Sequence, residues 1–192
     1  ASGGNYNVVL GDEAGTALTT GDNNVAIGFE ALKTEDANGD NVAVGYQSLK
    51  TLNAGADAFN TAVGYLSGTS VTTGLYNTLI GAQTGDALTD ADFNVVVGRN
   101  ALTSDTLGSK STAIGYGTLE TQNFTTATDS FNTAVGFEAG LAVTTGIENT
   151  LIGGQAGDAL TDADFNTAVG KQTLTADTLG SRSTAKYRYK RK

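Results

Sequence analysis

A five-residue phrase, Asn/Ser followed by Thr/Val, any residue, an aliphatic and Gly, occurs ten times in this chain of 192 residues. It begins at Asn7, Asn24, Asn41, Asn60, Asn77, Asn94, Ser111, Asn132, Asn149 and Asn166. The interval is 17 residues throughout, except for 19 from Asn41 to Asn60 and 21 from Ser111 to Asn132. An eleventh phrase starts on schedule at Ser183 and departs from the pattern after Ala185. Self-similarity at a short fixed period specifies a stack of coils, each touching only its neighbours. The expected fold is therefore all-β, a parallel β-solenoid of ten to eleven 17-residue coils over residues 1–185, with 186–192 as a basic tail or cap. At about 4.8 Å per coil such a stack is roughly 50 Å long.

Each phrase reads as a short strand, since β-branched residues suit a pleated surface. The fourth position is aliphatic (Leu10, Ile27, Val44, Val63, Ile80, Val97, Ile114, Val135, Ile152, Val169), and is expected to form the internal ladder. The third is mostly alanine (Ala26, Ala43, Ala62, Ala113, Ala134, Ala168) and is expected to face the opposite way. The fifth is glycine from Gly11 onward: Gly28, Gly45, Gly64, Gly81, Gly98, Gly115, Gly136, Gly153 and Gly170. An invariant glycine marks positive φ or a backbone approach too close for any Cβ. The leading residues Asn24, Asn41, Asn60, Asn77, Asn94, Asn132, Asn149 and Asn166 suggest a ladder of side-chain amides bonding coil to coil, although asparagine also favours the turn before a strand. A second, less regular strand is expected over the tenth to fourteenth positions of each coil.

Two kinds of coil alternate. One has glycine at its ninth position and an aliphatic at its twelfth (Gly15 and Leu18, Gly68 and Val71, Gly85 and Leu88, Gly140 and Val143, Gly157 and Leu160). The other has leucine at the ninth (Leu32, Leu49, Leu102, Leu119, Leu174). They come in pairs, giving super-repeats 1–59, 60–131 and 132–185; residues 59–81 return at 131–153, an offset of 72. The extra residues fall at one corner, in 51–59 and 121–131. Insertions in a solenoid go to surface loops on one face, often the binding face.

Composition narrows the function. With no Cys and no His, triads and dyads that need a thiol or an imidazole are excluded. No apolar run approaches the roughly 20 residues that span a bilayer, so membrane insertion is not expected. The chain opens on Ala1 rather than Met and reads as part of something longer. Five of its eleven basic residues lie in 186–192, which leaves residues 1–185 with six basic against twenty acidic groups, a formal net charge of −14. Such a body repels nucleic acid.

The phrases NVAIGFEAL, NTAVGYLSG, NTLIGGQAGDALT and STAIGYGTL resemble the head repeats of trimeric autotransporter adhesins. They resemble still more the repeat region of bacteriophage tail fibres and appendages, a likeness that extends to DTLGS(K/R)STA at 105–113 and 177–185 and QNFTTATD at 122–129. The resemblance covers residues 5–185. It implies a left-handed β-roll, a homotrimer in which the alanine column would pack against a neighbouring subunit, a location on a virion surface or outside the cell, and a non-enzymatic role in attachment to a host glycan or protein receptor. A self-stacking extracellular filament is the alternative. At the end of the chain Lys186 and Tyr187 replace the expected aliphatic and glycine, so the roll is expected to stop there.

The polar residues offer one candidate constellation. Asp86, Asp90 and Asp92 recur as Asp158, Asp162 and Asp164, hard oxygen donors at a spacing that could serve Ca2+, although without the glycine pattern of calcium-binding solenoids. Surface acidity is the simpler explanation. Aromatic residues follow the glycine (Phe29, Tyr46, Tyr65, Tyr116, Phe137) or precede the asparagine (Phe59, Phe93, Phe131, Phe165); they would stack on sugars or fill corners of the roll. A threonine column in the second position is interrupted by Val8, Val25, Val42 and Val95, and lacks the paired threonines of an ice-binding face.

Overall fold

The computed structural model describes residues 4–186. It contains thirteen strands: β1 (Val8–Leu10), β2 (Val25–Ile27), β3 (Val42–Val44), β4 (Thr61–Val63), β5 (Thr78–Ile80), β6 (Val95–Val97), β7 (Gly108–Ser109), β8 (Thr112–Ile114), β9 (Thr128–Asp129), β10 (Thr133–Val135), β11 (Thr150–Ile152), β12 (Thr167–Val169) and β13 (Thr184–Lys186). Eleven of them form one parallel sheet in chain order, and β7 pairs with β9 in a second sheet of two strands. The molecule is a β-solenoid, one phrase strand per coil. Every phrase aligns with the next position for position, so that Ala26 lies beside Ala43 and Leu79 beside Val96. The register holds across both long intervals, where Val42 pairs with Thr61 and Thr112 with Thr133.

The strand alternates as expected, but its two faces are the reverse of the expectation. Ala26, Ala43, Ala62, Ala113, Ala134 and Ala168 are fully buried, as are Leu79, Val96 and Leu151 at the same position. The aliphatic column is outside, with Ile80, Ile114, Ile152 and Val169 about two-fifths exposed. The reason is room. A coil of this length encloses a lumen too narrow for large side chains from every wall, and the leucines of the far wall (Leu32, Leu49, Leu102, Leu119) already fill it. Where the far wall has glycine, the space is taken from elsewhere: a Cβ on Gly68 would lie 2.7 Å from Leu79 Cδ1 and 3.1 Å from Leu49 Cδ2. The alanine column is therefore core and is unavailable to a neighbouring subunit.

The second strand is also not where it was expected. In the glycine coils a turn closes over the ninth to twelfth positions, as in the bond from Val71 N–H to Gly68 C=O at 3.1 Å. Alternate N–H groups on either side still bond to the next coil, Ser70 to Asp86 and Thr72 to Thr89. In the leucine coils left-handed residues precede this segment, Gln47 and Leu49 having φ of 54° and 47°. Extended geometry cannot continue through such residues.

The fifth-position glycine meets both demands at once. Gly64 has φ of 146°, and a Cβ there would sit 2.1 Å from the carbonyl oxygen of Gly81 in the next coil. At the end of the chain an eleventh phrase strand joins the sheet. Thr184–Lys186 pairs with Thr167–Val169, and Lys186 replaces a residue of the outward column while Ala185 keeps the core position. Tyr187 and the rest of the basic tail lie outside the described residues.

Candidate functional site: the outer sheet face

The leading asparagines define what holds the face flat and in register. Each is buried among apolar neighbours, where an unpaired amide would be costly. Asn77 shows the arrangement: its Oδ1 accepts from the N–H of Asn94 at 3.0 Å, and its Nδ2 donates to the carbonyl of Ala91 at 2.7 Å. The first bond ties one coil to the next, and the second pins the corner of its own coil. Direct amide-to-amide contact is the lesser component, as between Asn94 Nδ2 and Asn77 Oδ1 at 3.2 Å. Ser111 lacks the amide. There the N–H of Asn132 turns to Ser130 Oγ at 3.4 Å, and Gln122 bridges Ser111 Oγ and Asn132 Nδ2 at 3.0 and 2.8 Å.

Outside this frame the sheet presents four columns: the residue before the asparagine, the second and fourth positions, and the residue after the glycine. The two middle columns are short, Thr/Val and Ile/Val. The two edge columns are rails of mostly bulky residues, interrupted by Asn23 and Asp40 on the leading side and by Ala82 and Gly154 on the trailing side. On the leading rail Phe59, Tyr76 and Phe93 stack with centroids 5.5 and 5.0 Å apart and planes within 5°. On the trailing rail Phe29, Tyr46 and Tyr65 stack at 5.4 and 5.3 Å, and Tyr116 and Phe137 at 5.4 Å. Near-parallel planes at the coil spacing mean that the rings cover one another's faces and turn their edges to solvent. A sugar stacks on a ring face, so these rows are poorly presented for glycan stacking along their length. Cations continue the leading rail, with Lys110 5.1 Å from the Phe131 ring and Arg182 5.2 Å from that of Phe165. Sequence reading placed the aromatic rows but passed over Tyr76 and these cations, whose signal was their place in the column before the asparagine.

Of the six aspartates proposed for Ca2+, five are engaged separately, and Asp158 Oδ1 is buried without a hydrogen-bond partner. Asp92 and Asp164 accept from the N–H groups of Leu75 and Ile147 in the preceding coil, at 2.7 and 2.8 Å. Asp90 accepts from Thr73 Oγ1 at 2.7 Å, Asp86 from Thr103 Oγ1 in the following coil, and Asp162 from Thr161 Oγ1 at 3.3 Å. Burial pushes the Asp86 carboxyl up, against the Thr103 bond; burial and then the nearby Glu138 push Asp158 up. No group of three or more acidic side chains converges among the described residues.

The sequence also hid the groups that hold the inserted loops. Glu35 and Asp105 are fully buried at the twelfth position of the first leucine coil of each pair, where the glycine coils have an aliphatic. Asp105 Oδ1 accepts from Gly108 and Phe124 N–H at 3.1 and 3.0 Å, and its Oδ2 from Gln122 Nε2 at 2.6 Å. Glu35 accepts from Asn38 N–H at 3.3 Å and Ala54 N–H at 3.4 Å. Each carboxylate reaches from its own turn into the insertion of the next coil. The loops are thereby fixed at their roots, with Asn53, Gly55 to Asp57, and Thr125 to Ala127 exposed.

A short ion-pair ladder crosses the first three coils. Lys33 pairs with Glu13 and with Glu30, and Glu30 with Lys50, the last two contacts at 2.6 Å. Lys33, followed by Lys50, holds the Glu30 carboxyl down at about 2. Among the described residues no cavity opens. Comparison with protein-family models, curated proteins and solved structures finds no match.

Proposed function

We propose that this chain is a structural segment of an extracellular or virion-surface fibre, in which three copies run side by side and carry a host-binding element away from a base. The observation that carries this reading is the outer face of the eleven-strand sheet. It runs the length of a rod of about 50 Å, and it exposes Phe93, Val95, Ile80, Ile114 and Ile152 by 37–50%. Taken as about 50 Å by 20 Å, it offers roughly 1,000 Å² per chain, against roughly 800 Å² per partner in a standard protein interface. Apolar patches of this extent mark interaction surfaces. The repeat phrases, which resemble those of phage tail fibres and of trimeric adhesin heads, support the same reading. The rooted loops at 51–59 and 121–131 offer the exposed groups for contact with a host glycan or protein.

The solution mass by light scattering over a tenfold range of concentration tests it. A constant mass of three chains is expected. A single-chain mass overturns the trimer, and a mass that climbs with concentration replaces it with a self-stacking filament.

A further inference from the structure

The last turn of the rod repeats one half of a joint that is complete one super-repeat earlier. Asp105, Leu107, Gly108 and Ser109 recur as Asp177, Leu179, Gly180 and Ser181. At the earlier joint the insertion of the next coil lies along these residues as a strand. Leu107 N–H donates to the Phe124 carbonyl at 3.1 Å, and the N–H groups of Thr128 and Ser130 donate to the carbonyls of Leu107 and Ser109 at 3.2 and 2.9 Å. Asp105 accepts from Gln122 Nε2 and Phe124 N–H of that coil as well as from its own Gly108 N–H. The Phe124 ring rests on Gly108, where a Cβ would lie 2.8 Å from Phe124 Cδ2.

At the last turn the receiving half is already shaped. Asp177 Oδ1 accepts from Gly180 N–H at 2.8 Å, as Asp105 does from Gly108 at 3.1 Å. Gly180–Ser181, the counterpart of β7, pairs with no strand among the described residues, and Leu179 is 66% exposed. A second sign of incompleteness lies beneath. Asn166 is fully buried and its Nδ2 has no hydrogen-bond partner, whereas Asn94 Nδ2, at the same place in the earlier joint, donates to the Gly108 carbonyl at 3.0 Å. A buried amide left unpaired is costly, so closing this turn is favourable.

We infer that the last turn is a seat for an extended strand of another protein chain, one that carries a glutamine and, two residues on, an aromatic ring. Strand addition draws affinity from main-chain bonds and specificity from the side chains. Here the bonds go to Leu179 and Ser181, the glutamine to Asp177 and the ring to Gly180. The two inserted coils each follow a coil with a carboxylate at its twelfth position, Glu35 or Asp105, and Asp177 is the third such carboxylate. After Ala185 the sequence has Lys186 and Tyr187 in place of Ile114 and Gly115, so it departs from the coil that supplies the strand at the earlier joint. Copies stacked end to end do not supply the strand either. Their first coil has Leu18 at the twelfth position and no insertion, which would cover the Asp177 carboxylate with an apolar side chain.

A fluorescein-labelled peptide with the sequence of residues 119–131 tests the seat on the full chain, whose own copy of that segment already covers Asp105. A saturable rise in fluorescence polarisation is expected, with new hydrogen-exchange protection at the Leu179 N–H. Gln122→Leu in the peptide and Asp177→Asn in the chain should each weaken binding about tenfold or more. An unchanged melting temperature shows that Asp177→Asn leaves the fold intact, and the peptide variant needs no such check. Absence of binding, equal binding by the Gln122→Leu peptide, or binding without protection at Leu179 overturns the seat. The mass of the chain without peptide tests the trimer separately.

Discussion

The inside and the outside of this solenoid repeat at different periods. The asparagine and glycine of the interior return with nearly every coil, and the bond from each asparagine N–H to the amide before it recurs with them, as between Asn60 and Asn77 and between Asn149 and Asn166. The rails return only with the super-repeat, Phe59 and Tyr65 reappearing as Phe131 and Phe137 at an offset of 72. The short period is what stacking requires, because each coil must match the one beneath it. The long period is not needed for stacking at all. Rails of one residue type would stack as well, so their variation specifies something outside the chain, which is why we assign it to contact between chains.

Substitutions that separate the two periods test this division. The largest effect is expected from Gly64→Ala, which forces a Cβ against the Gly81 carbonyl at a φ of 146°. A loss of more than about 4 kcal/mol is expected, seen as a collapse of the thermal transition by circular dichroism. Asn77→Ala comes next. It strands the buried N–H of Asn94 and the carbonyl of Ala91, each costing about 1–3 kcal/mol, and hydrogen exchange should rise at the two adjoining coils while distant coils keep their protection. An outer-face change behaves differently. Phe93→Ser removes one stacked neighbour, about 0.5–1.5 kcal/mol, and should leave the single-chain fold intact while lowering the solution mass. Were Phe93→Ser to unfold the chain, or Asn77→Ala to spare it, the division between stacking and contact would fail.

The smallest effect concerns charge. Glu30 has its pKa lowered to about 2, so the stability it contributes is fully present above the ordinary carboxylate pKa and is lost as pH falls toward 2. Asp158 is raised by burial, so its charged form opposes folding and the opposition fades on acidification. Glu30→Gln should therefore lower the melting temperature at pH 7 and Asp158→Asn should raise it slightly, both differences shrinking on acidification and the first disappearing only as pH falls through about 2.

The coil period, the single strand per phrase and the two inserted corners were legible in the sequence because each is a matter of spacing. Which face of the strand turns inward was not. Judged by hydrophobicity alone, Ile27 belongs inside and Ala26 outside; the volume of the lumen decides the reverse. One trace of this was readable: Leu79 and Leu151 replace alanine in coils whose far wall has Gly85 and Gly157, as core residues that exchange volume would. The carboxylates Glu35 and Asp105 were hidden for a different reason. Most of their partners are backbone N–H groups, chiefly at Ala54 and Phe124 in the next coil, and no side-chain pattern records a backbone partner.

Ser111 gives the stack a seam. From Asn7 to Ser111 every leading N–H after the first is held by the amide one coil before it, and from Asn132 to Ser183 the same holds again. Between the two runs the connection passes through Ser130 and Gln122, with a 3.4 Å bond at the backbone. A rod of this kind under tension does not stretch evenly. It parts at its weakest junction, and the blocks on either side can be drawn apart and rejoin whole. The serine returns at Ser183, one super-repeat later, whereas the matching junction of the first super-repeat has Asn41 and keeps its amide bond to the Asn60 N–H, so the seam belongs to the later part of the rod alone.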